Sequence, residues 1–159
     1  IGTGTPGDLG TSDDYPFKSG VFNETNPVTG FSFGNCVDFS WWRMMQQLGI
    51  KDQANMDARK LGPGSAITWG PTWQKHGWTV SMTPKVGAVT WYGPGNPGGD
   101  PTYGHVGIVK AINKDGSVLE EGYNMGPDHI GSYYTRTIKV DSVSGYLYIP
   151  SLAQIKPYL

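Results

Sequence analysis

Cysteine is almost absent: Cys36 stands alone among 159 residues, so no disulfide can form within the chain and stability must come from packing. Neither sign of charge is in excess. Twelve Lys and Arg face 13 Asp and Glu, for a formal net charge of -1, which leaves no basic footprint for nucleic acid or an anionic membrane. No apolar run approaches the roughly 20 residues needed to cross a bilayer, and no charged-then-apolar start resembles a signal peptide, so membrane insertion by this segment is not expected. Histidine is scarce too: His76, His105 and His129 show no HxH or HExxH spacing, and one cysteine cannot supply a CxxC pair. The ligand set of a catalytic zinc is therefore not expected.

What the chain does hold is 24 Gly, 12 Pro and 13% aromatic residues, which describes a loop-rich globular protein with an aromatic core, too hydrophobic to be disordered. The length fits one domain. The Gly/Thr/Pro-rich stretch 1–12 reads as a linker ahead of a domain over 13–159, and a start at Ile1 suggests a piece of a larger modular protein.

From Asn35 the pattern turns helical. Val37, Trp41, Met44, Met45 and Leu48 make one apolar stripe, which predicts a helix over 36–48 with Asn35 as N-cap, Asp38 in the first turn and Gly49 as its stop. Shorter helices are expected over 54–61, closed by a turn at 62–64, and over 71–75. Beyond Pro84, the segments 86–92, 106–112, 118–123, 133–140 and 146–149 are rich in β-branched and aromatic residues and separated by turn signals, the mark of consecutive antiparallel strands. Helices first and strands afterwards predict an α+β fold, with N-terminal helices packed on a C-terminal antiparallel sheet.

A thiol attacks as thiolate, and a helix N-terminus together with a nearby imidazole favours that form. Cys36, at the positive end of the predicted helix, is the candidate nucleophile. His105, where a loop becomes a strand, is the candidate base. His76, beside Lys75 at a predicted helix end, suits a structural role, and His129 lies in a Gly- and Pro-flanked connection and reads as solvated. A third group normally holds the imidazole in its working tautomer. Asn124 and Glu121 are both candidates. Alternation puts Glu120, Gly122 and Asn124 on one face of their strand and Glu121 on the other, and spacing alone leaves the third position open.

Gly34-Asn35-Cys36 opening an aromatic helix, then Gly104-His105-Val106-Gly107-Ile108-Val109, then Glu121-Gly122-Tyr123-Asn124, together resemble the cysteine, histidine-dependent amidohydrolase/peptidase (CHAP) family. Further marks are Asp13-Asp14-Tyr15-Pro16, Trp69-Gly70, Pro84-Lys85-Val86-Gly87-Ala88-Val89 and Tyr134-Thr135-Arg136-Thr137-Ile138. The likeness runs from about Asp13 to about Ile149. It implies a papain-like fold and thiol hydrolysis of amide bonds in peptidoglycan, either as an N-acetylmuramoyl-L-alanine amidase or as an endopeptidase. It implies action outside the cytoplasmic membrane, extracellular or cell-wall associated, without a cofactor. Family members often carry Glu two residues before the Asn, where this chain has Gly122, so the orienting role is expected to pass to Asn124 or Glu121, with Asn124 favoured. Some relatives bind calcium just before the Cys. The stretch 27–35 here contains no carboxylate, so no metal is expected.

The Cys36 backbone N–H, with the Asn35 side chain as helper, is the expected oxyanion hole. Trp69, Trp91 and Tyr103, with Trp73, can line a substrate groove, although most such rings serve the core. The rival from another class is a non-catalytic wall-binding module with a degenerate site.

Overall fold

A computed structural model describes residues 9, 10, 12–62 and 64–159; the expected linker lies almost wholly outside the described residues, as does Pro63 of the expected 62–64 turn. The helix α1 spans Cys36–Gln47. Asn35 begins it in extended backbone but makes no side-chain cap. Gly49, at a φ of 78° that disfavours side chains, turns the chain away at its other end. The stripe is wider than its period implies: Phe39, Ser40, Trp42 and Arg43 are buried along with Trp41, Met44 and Met45. A helix buried almost all round has become the centre of the domain.

Six strands follow: β1 Val80–Ser81, β2 Val89–Tyr92, β3 His105–Ile112, β4 Val118–Met125, β5 His129–Ile138 and β6 Gly145–Leu147. They form one antiparallel sheet in the order β1-β6-β2-β3-β4-β5. The helix α2, Trp69–Lys75, includes the expected 71–75 segment. No α-helix forms over 54–61, and only a 3₁₀ turn, Gln53–Asn55, reaches into it. Asp52 and Asp57 accept from the backbone N–H groups of Ala54 and Arg59, and such local turns compete with the helix ladder. A one-turn helix α3, Leu152–Ile155, opens with a capping box between Ser151 and Gln154, a spacing that sequence inspection can find.

Alternation along the strands gives the sheet two unlike faces. Val89, Val106, Ile108, Tyr123 and Leu147 pack with α1 in a large aromatic core. Ala88, Tyr92, Val109, Val118, Val143 and Tyr146 form a second, smaller cluster. The Asp13-Asp14-Tyr15 run docks on the first face: Tyr15 packs against Phe39, Trp42 and Tyr123. Asp13 accepts from the Tyr123 hydroxyl at 2.6 Å, and Asp14 pairs with Arg43 at 2.8 Å.

Candidate active site

The loop before α1 is built around a buried carboxylate. Asp38 accepts from the Tyr15 and Thr29 hydroxyls and from the Asn26 amide; burial raises its carboxyl above the ordinary range, and these hydrogen bonds pull it back. The Tyr15 hydroxyl also receives the Gly34 N–H at 3.0 Å. The chain thus reaches Cys36 in a fixed path. Cys36 is partly exposed on the wall of an open cleft of about 1190 Å³ that His105, Asn35, Asn124, Tyr103 and Arg136 also line.

The thiol is not the depressed one expected of a helix N-terminus. Burial pushes it up to about 11, against a smaller opposing pull from the N–H groups of Val106, Val37 and Cys36 itself. His105 opens β3 with 5% of its surface exposed. Gly104 places it: a Cβ there would lie 2.6 Å from the Tyr92 carbonyl oxygen and 2.9 Å from Ile67. Burial pushes the imidazole down to about 4, with Glu120 raising it and Arg136 lowering it. At neutral pH the two are therefore a neutral thiol and a neutral imidazole, and among the described residues no hydrogen bond joins them.

His105 Nε2 lies 2.6 Å from the Tyr134 hydroxyl, and that hydroxyl donates to Glu120 Oε1 at 2.7 Å. Arg136 Nε donates to the same oxygen at 2.6 Å. Thr90 and Tyr92 donate to the other oxygen, each at 2.6 Å. Burial opposes ionisation of Glu120, yet Arg136, His105 and the donated hydrogen bonds hold its carboxyl below the usual range.

The other expected site residues are placed differently. Asn124, at a φ of 60°, donates to Asn35 Oδ1 at 3.1 Å and accepts the Gly131 N–H at 3.0 Å; it makes no hydrogen bond to His105. Glu121 faces α1, bound by Arg43 at 2.7 and 3.0 Å and by Tyr133 at 2.8 Å. The Asn35 amide donates to Asn23 Oδ1 at 2.7 Å and to the Phe33 carbonyl at 3.2 Å, so its donors are committed away from an oxyanion. Trp69 is fully buried and stacked on Trp73, and a ring inside the core touches no substrate. Trp91 packs over Gly70 and Gly93 and donates to the Ala66 carbonyl at 2.9 Å. Of the three expected groove rings only Tyr103, 63% exposed, lines the cleft. His76 packs between Trp78 and Tyr158, and His129 begins β5. Among the described residues no cluster of three or more His, Cys, Asp or Glu side chains is arranged to hold a metal ion.

Sequence reasoning missed Tyr134, Arg136 and Glu120 as a unit. The signal was present: Tyr134 and Arg136 sit two apart on one strand, opposite Gly122 and Glu120 on the next.

Comparison with known proteins gives a match to the CHAP domain model over residues 26–124. The Staphylococcus aureus secretory antigen ssaA2 is 36% identical over 88 residues, covering 54% of this chain and 30% of that protein. An N-acetylmuramoyl-L-alanine amidase domain-containing protein of the same species is 28% identical over 137 residues, covering 86% of this chain and 20% of that protein. A crystal structure of an N-acetylmuramoyl-L-alanine amidase from S. aureus aligns with a TM-score of 0.62 and 26% identity, over 88% of this chain and 37% of that one. The fold is papain-like, and the chain covers between 20% and 37% of the length of these relatives.

Proposed function

From the premise that the chain belongs to the CHAP domain family, we propose that it hydrolyses amide bonds of bacterial peptidoglycan, with Cys36 as nucleophile and His105 as general base. The observation that carries this reading is the shared cleft: a thiol at the start of a buried helix and an imidazole at the start of a strand line the same open cavity. A neutral thiol needs a base at the moment of attack. His105 takes the Cys36 proton as the sulfur adds to the substrate carbonyl, the Cys36 backbone N–H stabilises the oxyanion, and the imidazolium then protonates the leaving amine. The resulting thioester is cleaved by a water that His105 deprotonates, releasing the acid and restoring the thiol. Relatives named as N-acetylmuramoyl-L-alanine amidases favour the bond between the glycan and the stem peptide over bonds within the peptide. A wall substrate places the activity outside the cytoplasmic membrane, and the limited share of each relative that is covered accords with one module of a larger protein.

Purified sacculi digested with the wild type and with Cys36→Ala, with fragments read by mass spectrometry, test the proposal. Soluble fragments are expected from the wild type and a loss of about 10⁴-fold or more from Cys36→Ala. New termini at the muramoyl-alanine bond would identify the amidase, and termini within the peptide an endopeptidase. Binding of sacculi without release by any wild-type preparation, across several wall types, would replace hydrolysis with a wall-binding role.

A further inference from the structure

We propose that Tyr134 is the positioning residue of the base: its hydroxyl, fixed by Glu120, accepts the Nε2 proton of His105 and leaves Nδ1 as the basic atom of the ring. The inference rests on His105 being the base of the hydrolase reading above.

Proton counting carries it. A carboxylate has about four acceptor sites, and Glu120 fills them with Tyr134 and Arg136 on one oxygen and Thr90 and Tyr92 on the other. The ring of Tyr134 is buried and its hydroxyl keeps its proton, because burial and then the Glu120 charge both oppose ionisation. That single proton is spent on Glu120. Toward His105, 2.6 Å away, the hydroxyl oxygen can only accept, so Nε2 must carry hydrogen. A neutral imidazole has one N–H, and its lone pair is then on Nδ1. When Nδ1 takes the thiol proton, the imidazolium Nε2–H still points at an oxygen backed by an anion. The Glu120 charge thus stabilises the cation through Tyr134 without touching the ring.

The neighbouring strand is shaped for this hydroxyl. Gly122 lies directly across from Tyr134 in the β4–β5 ladder, and a Cβ at 122 would fall 2.6 Å from the Tyr134 oxygen and 2.7 Å from its ring. Any side chain at 122 must displace Tyr134. The absence of a side chain at this position therefore has a use.

The test removes one oxygen. Tyr134→Phe keeps the buried ring and leaves Glu120 three donors, so folding, checked by near-UV circular dichroism, is expected to survive. The kcat on sacculi should fall about 10²-fold or more with KM unchanged. Nitrogen NMR of the labelled protein should show His105 moving from the Nε2–H tautomer to a mixture. Restoring an oxygen as 3-fluorotyrosine should return both readouts. Gly122→Ala, which pushes the hydroxyl aside, should repeat the loss. An unchanged tautomer in both Tyr134→Phe and Gly122→Ala overturns the proposal, whatever happens to hydrolysis. A wild type that shows the tautomer and its Tyr134 dependence but releases no fragments would instead count against the hydrolase reading alone. Should Tyr134→Phe fail to fold, Gly122→Ala and the wild-type tautomer decide.

Discussion

Glu120 and Glu121 are neighbours in sequence, both fully buried, and they lie on opposite faces of one strand. Glu121 looks toward α1, where burial raises its carboxyl despite the Arg43 guanidinium and the Tyr133 hydroxyl. Glu120 looks the other way, where Arg136, three hydroxyls and the His105 ring win over burial and hold it ionised. Identical side chains at equal depth thus serve different ends. One ties α1 and the N-terminal segment to the sheet, through an arginine that also reaches Asp14 and the Ser12 carbonyl. The other sets the electrostatics beneath the His105 ring. Burial alone fixes neither role; the partners on each face do.

The strongest way to break the comparison is to remove Glu121. Arg43 has no exposed side-chain surface, and without Glu121 its charge keeps only the partly exposed Asp14 carboxylate, so the loss should approach, without exceeding, the cost of about 3–5 kcal/mol for stripping one partner from a buried ion pair. Glu121→Ala should lower the urea-unfolding free energy by up to that amount. The His105 tautomer and the turnover of the molecules that stay folded should not change. A shifted tautomer in Glu121→Ala would mean that the two faces are coupled through β4 and that the division of labour fails.

A second prediction sharpens the contrast through pH. Unfolded His105 takes a proton near its ordinary pKa of 6.5, whereas the folded residue refuses it until about 4. Between those values the unfolded state binds more protons, so stability is lost as pH falls through that window, by about 3 kcal/mol from this residue. Asp38 and Glu121, whose carboxyls are raised, act in the opposite direction and are common to a His105→Gln variant. Glu120, whose carboxyl is held low, loses stability on acidification in both proteins, so the difference between wild type and His105→Gln, from denaturation at several pH values, should show an extra loss in the wild type as pH falls from 6.5 to about 4.

The sequence pattern made much of this arrangement legible. The α1 stripe and the antiparallel strands follow from periodicity and turn signals, and Cys36 and His105, singled out by the chemistry of a lone thiol, line one cleft. Even the split between Glu120 and Glu121 follows from alternation. What stayed hidden was set by cross-strand contacts. That Tyr134 lies over Gly122, and that Arg136 lies over Glu120, depends on the β4–β5 register, and register is decided by the whole sheet. The irregular path of 54–61, held by Asx turns, and the burial of Trp69 inside the α2 cluster are likewise products of packing.

Asn124 supplies the smallest and most discriminating prediction. It stands at the irregular end of β4, where the ladder slips between Tyr123 and Met125, and its side chain clamps Asn35 to the Gly131 backbone. Its φ of 60° lies in the region where Gly is at no disadvantage. Asn124→Gly therefore relieves backbone strain while deleting two hydrogen bonds, and the net change in stability should stay within about 1 kcal/mol. If the base is oriented by Tyr134, Asn124→Gly should leave the His105 tautomer intact and cost about 10-fold or less in kcat, through a looser approach to Cys36. A loss as deep as that of Tyr134→Phe, with the tautomer altered, would return the orienting role to Asn124 and reduce the Glu120 network to a structural anchor like its neighbour.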